Sequence, residues 1–266
     1  MNTSVAKQIS IILVNYKSEK NILLCLASLK DFLIGIDYEI IIVNNDQQKT
    51  LREVKEKFSE VQIIEQVKNT GFGSAVNVGV KIAEGEILLI LNPDTEIISG
   101  NFQEIIAEFL INKEVGIIGS RIIDESGQIQ PWIAGVKKNL WDLLKNNLGI
   151  RKSQKIWKSQ QKIDVDWVAA TAMFTKRDLF TNLGGFDENI FMYFEDVDLC
   201  ERIHLSGKRV VYFPNFVVKH VGGASFKNVQ IQKKHYYTSQ EYYFGKHCQR
   251  WEAVTIKLIR KFFYAL

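Results

Sequence analysis

The chain has 266 residues, of which 46% are hydrophobic and 24% charged, and this balance excludes an intrinsically disordered protein. Its net charge is +4 at pH 7, with the positive charge concentrated in segments 137–162 and 226–266. Such local patches indicate an anionic surface or ligand and argue against a nucleic-acid partner. The three cysteines, Cys25, Cys200 and Cys248, form no CxxC pair, which argues against a zinc cluster or a disulfide framework and favours a cytoplasmic location.

Short apolar runs alternate with amphipathic segments in the first half of the chain. The apolar runs predict strands over residues 9–15, 39–43, 61–64, 87–91 and 115–118. Apolar residues at helical spacing predict helices between them, over 22–33, 51–58, 75–82 and 102–110. This order predicts an α/β fold with a mostly parallel central sheet and helices on both faces.

The second half has a less regular pattern. We predict a hairpin over 121–132 that turns at 125–127, and an irregular or helical insertion in the basic stretch that ends at Lys162. Further on, the pattern predicts one strand over 165–174, a helix over 196–206 that stops at Gly207, and two short strands over 210–213 and 216–218. The last forty residues are predicted to be helical, and no apolar run approaches the ~18 residues of a membrane span.

Polar residues follow four successive predicted strands. They are Asn15 and Tyr16, then 44–46, 69–73 and 92–94. Because ligands bind beyond the carboxyl ends of parallel strands, we expect a binding site along this edge of the sheet. The glycines at 71 and 73 do not match the dinucleotide fingerprint, whose third glycine would fall at Val76.

Three further features carry charge or metal-binding groups. Asp94 ends the 92–94 segment, and a carboxylate there can hold a divalent metal against a diphosphate. His220 follows the last predicted strand and is the best further metal contact. Glu195 and Asp196 follow an aromatic segment, which excludes water and can raise a carboxyl pKa as a general base requires.

Together these segments resemble glycosyltransferase family 2, of the GT-A fold, and specifically its rhamnosyltransferase-like branch. The matching stretches span roughly residues 10–225 in the family's order and include EIIIVNND, NTGFGSAVNVGV, NPD and GGFDENIFMYFEDVDLCER. The resemblance implies a catalytic domain over 1–225, with a nucleotide-binding half (1–120) and an acceptor half (121–225). Residues 226–266 would form a basic helical tail.

The resemblance also implies roles for matched positions. The donor-binding residues would be Asn15, Tyr16, Asn44, Asn45, Gly71, Phe72, Asn77, Asn92 and Asp94. Asn44 stands where many members have an aspartate that accepts the N3–H of the base, and only Asp94 keeps a carboxylate of the usual DxD motif. Asp94 and His220 would bind Mg²⁺ or Mn²⁺, and Asp196 would be the base, with Glu195 as the alternative. The acceptor would contact Trp167, Thr171, Glu195 and Arg202.

The implied activity is inverting transfer of rhamnose or a hexose from a dTDP- or UDP-linked donor to a glycan or lipid-linked glycan. A sugar nucleotidyltransferase is an alternative, but residues 9–20 lack the Gly-rich, basic segment usual in that class. A non-catalytic sugar-nucleotide binder is a third, which the carboxylates at 94 and 196 argue against.

Apolar residues recur at helical spacing near the end of the chain, with basic residues between them. The apolar positions are Trp251, Val254, Leu258, Ile259, Phe262 and Phe263. This amphipathic pattern predicts either peripheral binding to an anionic membrane at its inner face, or packing on the catalytic domain or on a second subunit as a homodimer.

Overall fold

The computed structural model describes residues 7–47, 50–137, 153–222 and 229–263. Its strands are β1 (Ile9–Asn15), β2 (Tyr38–Asn44), β3 (Gln62–Glu65), β4 (Ile87–Leu91), β5 (Thr95–Ser99), β6 (Val115–Ile123), β7 (Ala134–Gly135), β8 (Ile163–Val165), β9 (Trp167–Val168), β10 (Ala172–Lys176) and β11 (Arg209–His220). Its helices are α1 (Glu19–Leu29), α2 (Arg52–Lys57), α3 (Phe72–Val80), α4 (Phe102–Ile111), α5 (Gln154–Trp157), α6 (Arg177–Asn182), α7 (Glu195–Leu205), α8 (Val229–His247) and α9 (Arg250–Phe263).

The central sheet has the order β3-β2-β1-β4-β10-β6-β11-β5, and β8 pairs with β11 beside this path. Strands β1 to β4, β6 and β11 run in one direction, whereas β5, β8 and β10 run against them. Every residue of β1 and of β4 is buried, which requires cover on both faces of the sheet. The predicted α/β fold with a mostly parallel sheet is confirmed.

The predicted helices of the first half form because their apolar positions share one face. In α1 the buried residues are Ile22, Cys25, Leu26 and Leu29, and in α4 they are Phe102, Ile105 and Phe109. The Asn101 side chain caps α4 by accepting a hydrogen bond from the Gln103 N–H at 2.8 Å. Both helices therefore pack as the spacing predicts.

Two strand predictions in the second half were wrong. The single strand predicted over 165–174 is interrupted at 166 and at 169–171, so it comprises the last residue of β8, the whole of β9 and the start of β10. Between β9 and β10 the Ala169 N–H donates to the Ile133 carbonyl and the Ala170 N–H donates to the Asp196 carboxylate. The two strands predicted over 210–213 and 216–218 are one strand, β11, whose register against β6 shifts between Phe213 and Val217. Strand β5 was not predicted; it pairs antiparallel with the end of β11.

The hairpin predicted over 121–132 turns where expected but is short. The Asp124 carboxylate accepts hydrogen bonds from the N–H groups of Ser126 and Gln128, and Gly127 takes a φ of +79°. Only one bridge, Ile123 to Ile129, closes it within the described residues. Most of the basic insertion lies outside the described residues, and its described part holds α5.

The end of the chain is helical, as predicted. Tyr243 and Phe244 of α8 are buried, and the Ser239 hydroxyl donates to the Met192 carbonyl at 2.7 Å, so α8 packs against the segment before α7. Ile256 anchors α9 with an exposed fraction of 5%. None of the helices described here combines the length and the hydropathy that crossing a membrane requires.

Candidate active site

A row of hydrogen-bonded side chains crosses the carboxyl ends of β1, β2 and β3. The Asn15 amide donates to Asn44 Oδ1 at 2.7 Å, and the Asn44 amide donates to Glu65 Oε2 at 2.6 Å. The same Asn44 oxygen accepts from the Asp46 N–H at 3.1 Å, and Asn44 is fully buried. In this arrangement Asn44 holds its neighbours in place, and its contact with a base remains a prediction.

Gly71 lies where another chain segment comes too close for a side chain. Its φ is +90°, and a Cβ atom would stand 2.3 Å from the Phe191 carbonyl oxygen. That carbonyl accepts from the Phe72 N–H at 3.0 Å, and the Gly71 carbonyl accepts from the Asn45 amide at 3.0 Å. The glycine turn is thereby joined to the segment that leads into Glu195.

Asn77 and Tyr16 occupy different positions at this edge. Asn77 donates to the Phe186 carbonyl at 2.9 Å and accepts from the Phe186 N–H at 2.9 Å, so its amide holds the loop before α7. Tyr16 is partly exposed beside Asn15, with Lys17 Nζ 5.1 Å from its ring centre. Tyr16 is therefore the better placed of the two to meet a ligand.

Asp94 and His220 come together although they are far apart in sequence. His220 is the last residue of β11, and it pairs with Thr95, the first residue of β5, so the Asp94 side chain lies beside the imidazole. His220 Nε2 is 3.2 Å from Asp94 Oδ1, and Asn92 Nδ2 is 3.5 Å from the same ring nitrogen. The predicted metal pair is thus one cluster, with exposed side-chain fractions of 8% and 17% for Asp94 and His220.

Asp196 is linked to this cluster through the chain segment 170–171. Its carboxylate accepts hydrogen bonds from the Val197 N–H at 2.8 Å and from the Ala170 N–H at 3.3 Å. The next residue, Thr171, accepts from the Asn92 N–H at 2.9 Å through its carbonyl. The break between β9 and β10 therefore ties Asp196 to the segment that carries Asp94.

Glu195 differs from its neighbour in being buried. Its Oε2 atom finds no hydrogen-bond partner among the described residues. Burial, with the negative charge of Asp196 as the second cause, raises the pKa of Glu195 to about 8. At neutral pH the Glu195 carboxyl is therefore mostly protonated.

Of the four residues predicted to bind an acceptor, some are held by bonds within the protein and one is partly exposed at the site. Trp167 is buried and donates from its indole to the Val136 carbonyl at 2.9 Å. Arg202 binds the Asp198 carboxylate and donates to the carbonyls of Leu183 and Gly185. Thr171 alone of the four is both partly exposed and next to Asn92.

Sequence reasoning did not single out Gln130, whose side chain contacts His220, or Lys246 and His247 of α8, which reach Asp198. Their residue types and spacing carry no signal, because each acts on a residue distant in sequence. The described residues contain no group of three or more His, Cys, Asp or Glu side chains arranged to hold a metal.

The model of Glycosyl transferase family 2 matches residues 10–176, more than half of the chain. The chain belongs to this family. It is similar to the N-acetylglucosaminyl-diphospho-decaprenol L-rhamnosyltransferase of Mycobacterium tuberculosis, at 26% identity over 66% of this chain and 64% of the relative. It is also similar to the rhamnosyltransferase WbbL of Escherichia coli, at 29% identity over 69% of this chain and 72% of the relative. The rhamnosyltransferase-like branch is thus confirmed.

Solved structures show the same fold at low sequence identity. The crystal structure of GalNAc-T7 with UDP, GalNAc and Mn²⁺ aligns with a TM-score of 0.61 at 15% identity, over 82% of this chain and 44% of that one. A mannosyltransferase from Pyrobaculum calidifontis in complex with GDP-Man and Mn²⁺ gives 0.60 at 16% identity, over 91% and 64%. The predicted GT-A fold is confirmed.

Proposed function

We propose that this protein is an inverting glycosyltransferase that moves rhamnose or a hexose from a nucleotide-diphosphate sugar to a surface glycan. The observation that carries the proposal is the meeting of three features at one edge of the sheet. These are the glycine turn at Gly71, the Asp94–His220 cluster and the half-buried Asp196. Family membership and the names of the rhamnosyltransferase relatives support it.

Asp196 acts as the general base. It removes the proton of the acceptor hydroxyl as that oxygen attacks the anomeric carbon on the face opposite the leaving diphosphate, so the configuration inverts. General-base assistance of this kind contributes about 10²–10⁴-fold to the rate. Glu195 stays neutral beside it, since burial raises its pKa to about 8.

The Asp94–His220 cluster fits a divalent metal. Two cis ligands of an octahedral Mg²⁺, each about 2.1 Å from the ion, are about 3 Å apart, and Asp94 Oδ1 and His220 Nε2 are 3.2 Å apart. Asp94 and His220 would hold Mg²⁺ or Mn²⁺, which would neutralise charge on the leaving diphosphate. The Mn²⁺ in the titles of two structural neighbours supports this.

A binding measurement tests the metal cluster. Asp94→Ala should abolish the Mn²⁺-dependent part of UDP or dTDP affinity measured by calorimetry, because it removes the one carboxylate of the cluster. His220→Ala should weaken it less, since a carboxylate suits these cations better than an imidazole does. Nucleotide affinity that is indifferent to EDTA and to both changes would overturn the metal assignment.

The donor is dTDP-rhamnose or a UDP-hexose, and the acceptor is a glycan carried on a lipid diphosphate. The mycobacterial relative is named for such an acceptor, and a Shigella flexneri relative, 22% identical, is named a dTDP-rhamnosyl transferase. A thermal-shift screen of nucleotide sugars with Mn²⁺ identifies the donor.

A nucleotide sugar that carries a radioactive label in its sugar then distinguishes a glycosyltransferase from the two alternative functions. A transferase passes the label to an acceptor. A nucleotidyltransferase instead needs a nucleoside triphosphate and a sugar phosphate, and a non-catalytic binder leaves the donor intact.

The protein binds an anionic membrane surface at its inner face through α9. Trp251, Val254 and Leu258 are each 50% exposed and share one side of the helix, while Ile256 is buried. Lys257 lies beside this stripe with an exposed side-chain fraction of 73%. Exposed apolar and basic residues on one helix suit the interface of an anionic bilayer, where a lipid-linked acceptor would also lie.

A further inference from the structure

Gln130 makes two contacts with His220. It lies just after the turn at Gly127, and its backbone N–H donates to the Ile122 carbonyl at 2.9 Å, which fixes its position beside the end of β11. Its side-chain Nε2 donates to the His220 carbonyl at 2.6 Å. Its Oε1 lies 3.0 Å from His220 Nδ1.

These two contacts determine where the ring proton sits. A backbone carbonyl only accepts hydrogen bonds, so the amide nitrogen of Gln130 must face it. The amide oxygen then faces the ring, and because it also only accepts, His220 Nδ1 must carry the proton. A neutral His220 therefore presents Nε2 as an acceptor.

The Nε2 atom points into the metal cluster. It lies 3.2 Å from Asp94 Oδ1 and 3.5 Å from the Asn92 amide nitrogen. When Nε2 carries no proton, two acceptor atoms face each other at this distance, and a metal ion between them removes their repulsion. Without the Gln130 contact the ring could flip, or carry its proton on Nε2, and the Nε2 lone pair would no longer face Asp94.

We propose that Gln130 is a positioning residue of the metal site: its amide locks His220 in the Nδ1–H tautomer so that Nε2 is available as a metal ligand. The proposal rests on the proposed function. The hydrogen bond that a histidine ligand donates from its far ring nitrogen to a partner residue commonly decides the ring orientation, and loss of that partner costs about 10–100-fold in metal affinity. Only an amide meets both demands here, since Glu lacks the donor and Leu lacks both groups.

The tautomer is measured first, on the full-length metal-free protein. In ¹⁵N-histidine-labelled protein the four histidines give separate two-bond ¹H–¹⁵N patterns, and His220→Gln assigns the signal of interest. We expect the Nδ1–H form in the wild type and in Gln130→Glu, and a mixture dominated by Nε2–H in Gln130→Leu. A wild-type His220 with its proton on Nε2 would overturn the proposal.

Metal affinity is measured second, by the loss of the aqueous Mn²⁺ electron paramagnetic resonance signal in the presence of UDP or dTDP. Gln130→Leu should weaken Mn²⁺ binding about 10–100-fold, with Gln130→Glu between it and the wild type. Gln128→Leu is the matched control, because Gln128 is exposed on the same turn and should not change Mn²⁺ affinity.

The outcomes separate the two proposals. If the wild type and Gln130→Leu bind Mn²⁺ equally well, the positioning role is overturned while the metal site stands. If the wild type binds no Mn²⁺ with either nucleotide, the metal part of the proposed function fails, and the role of Gln130 fails with it. An equal loss in Gln128→Leu and Gln130→Leu would show a general effect of the turn and would also overturn the positioning role.

Discussion

Glu195 and Asp196 are adjacent carboxylates in opposite surroundings. Asp196 is partly exposed and accepts two backbone hydrogen bonds, whereas Glu195 is 7% exposed and has an oxygen without a partner among the described residues. Of the two neighbouring carboxyl groups, burial makes Glu195 the one that stays protonated at neutral pH. Asp196, the more exposed of the two, is the one that we propose takes the proton.

Replacing the base without changing its shape tests this division. Asp196→Asn should lower turnover by about 10²-fold or more with donor affinity little changed, because the amide fills the same space but takes no proton. The turnover of Glu195→Gln should stay within a few-fold of that of the wild type, since the Glu195 carboxyl is already mostly neutral at pH 7. Steady-state kinetics and nucleotide calorimetry measure both quantities. Normal turnover in Asp196→Asn together with loss in Glu195→Gln would transfer the role of base to Glu195.

The raised pKa of Glu195 also predicts a pH dependence of stability. The folded protein holds this proton with a pKa of about 8, above the value of 4.5 for the unfolded chain. The stability linked to it is therefore complete below about pH 4.5 and is lost as pH rises through 8. In urea unfolding at pH 5, 7 and 9, the free energy of unfolding should decrease less with rising pH for Glu195→Gln than for the wild type. Glu125→Gln, at an exposed turn, is the control, and three parallel pH profiles would contradict the prediction.

At the scale of elements, helix α8 contacts the segment 192–194, which leads into Glu195 and Asp196. Tyr193 and Phe194 take φ values of +66° and +68°, which are strained for residues with side chains. The Gln232 amide donates to the Tyr193 hydroxyl at 2.7 Å, and the Ser239 hydroxyl donates to the Met192 carbonyl. Contacts from α8 thus offset the backbone strain at Tyr193 and Phe194, in the segment that positions Glu195 and Asp196.

A buried charge cluster links α7 to α8. The Asp198 side chain is fully buried, and Arg202, Lys246 and His247 each approach it to 2.7 Å. Lys246 also contacts Asp187, which accepts a hydrogen bond from Tyr242. Because the cations of Arg202 and Lys246 and the ring of His247 meet at one carboxylate, the packing of α8 on α7 depends on that side chain.

Removing the carboxylate should expose this dependence. Asp198→Asn should lower the free energy of unfolding by about 1–3 kcal/mol, because it removes the shared counter-charge of Arg202 and Lys246, which are themselves partly exposed. Asp178→Asn is the control: its side chain is 86% exposed beside Arg177 and should change stability by no more than about 0.5 kcal/mol. Urea unfolding monitored by circular dichroism gives both values. Equal stability of the two variants would show that the cluster does not hold the helices together.

Sequence could predict the regular elements and the residue types at the sheet edge, because periodicity and strand ends are local properties. It also predicted the Asp94–His220 pair, which β5 and β11 bring together. It could not predict that Asn77 and Trp167 bond to distant backbone groups, since an amide or an indole is equally able to bind a ligand. The partner of a polar side chain is set by the tertiary fold, and so Gln130 also carried no signal.

At the scale of the whole molecule, α9 divides its surface between the body and the outside. Ile256 and Glu252 are buried, and Arg260 pairs with Glu241 of α8 at 2.6 Å, so this side of the helix is fixed. The stripe of Trp251, Val254 and Leu258 faces outward. The packing interpretation of the amphipathic pattern is therefore correct for one side of this helix, and membrane binding by the other side stays a prediction.

Substitution of the outward stripe tests the membrane proposal without disturbing the packed side. A deletion from His247 onward would remove a contact to Asp198, so the triple variant W251S/V254S/L258S is the sharper change. The wild type should bind anionic liposomes in a salt-sensitive way. The triple variant should have an affinity at least about tenfold lower, because it loses apolar area that the membrane would bury. Activity on a soluble acceptor should persist in the triple variant.

The exposed Leu110 and Ile111 of α4 supply the control L110S/I111S, which should bind liposomes normally. If the wild type ignores liposomes and the triple variant changes a dimer into a monomer in light scattering, the stripe is a subunit interface, because the same apolar area is then covered by a second copy of the chain.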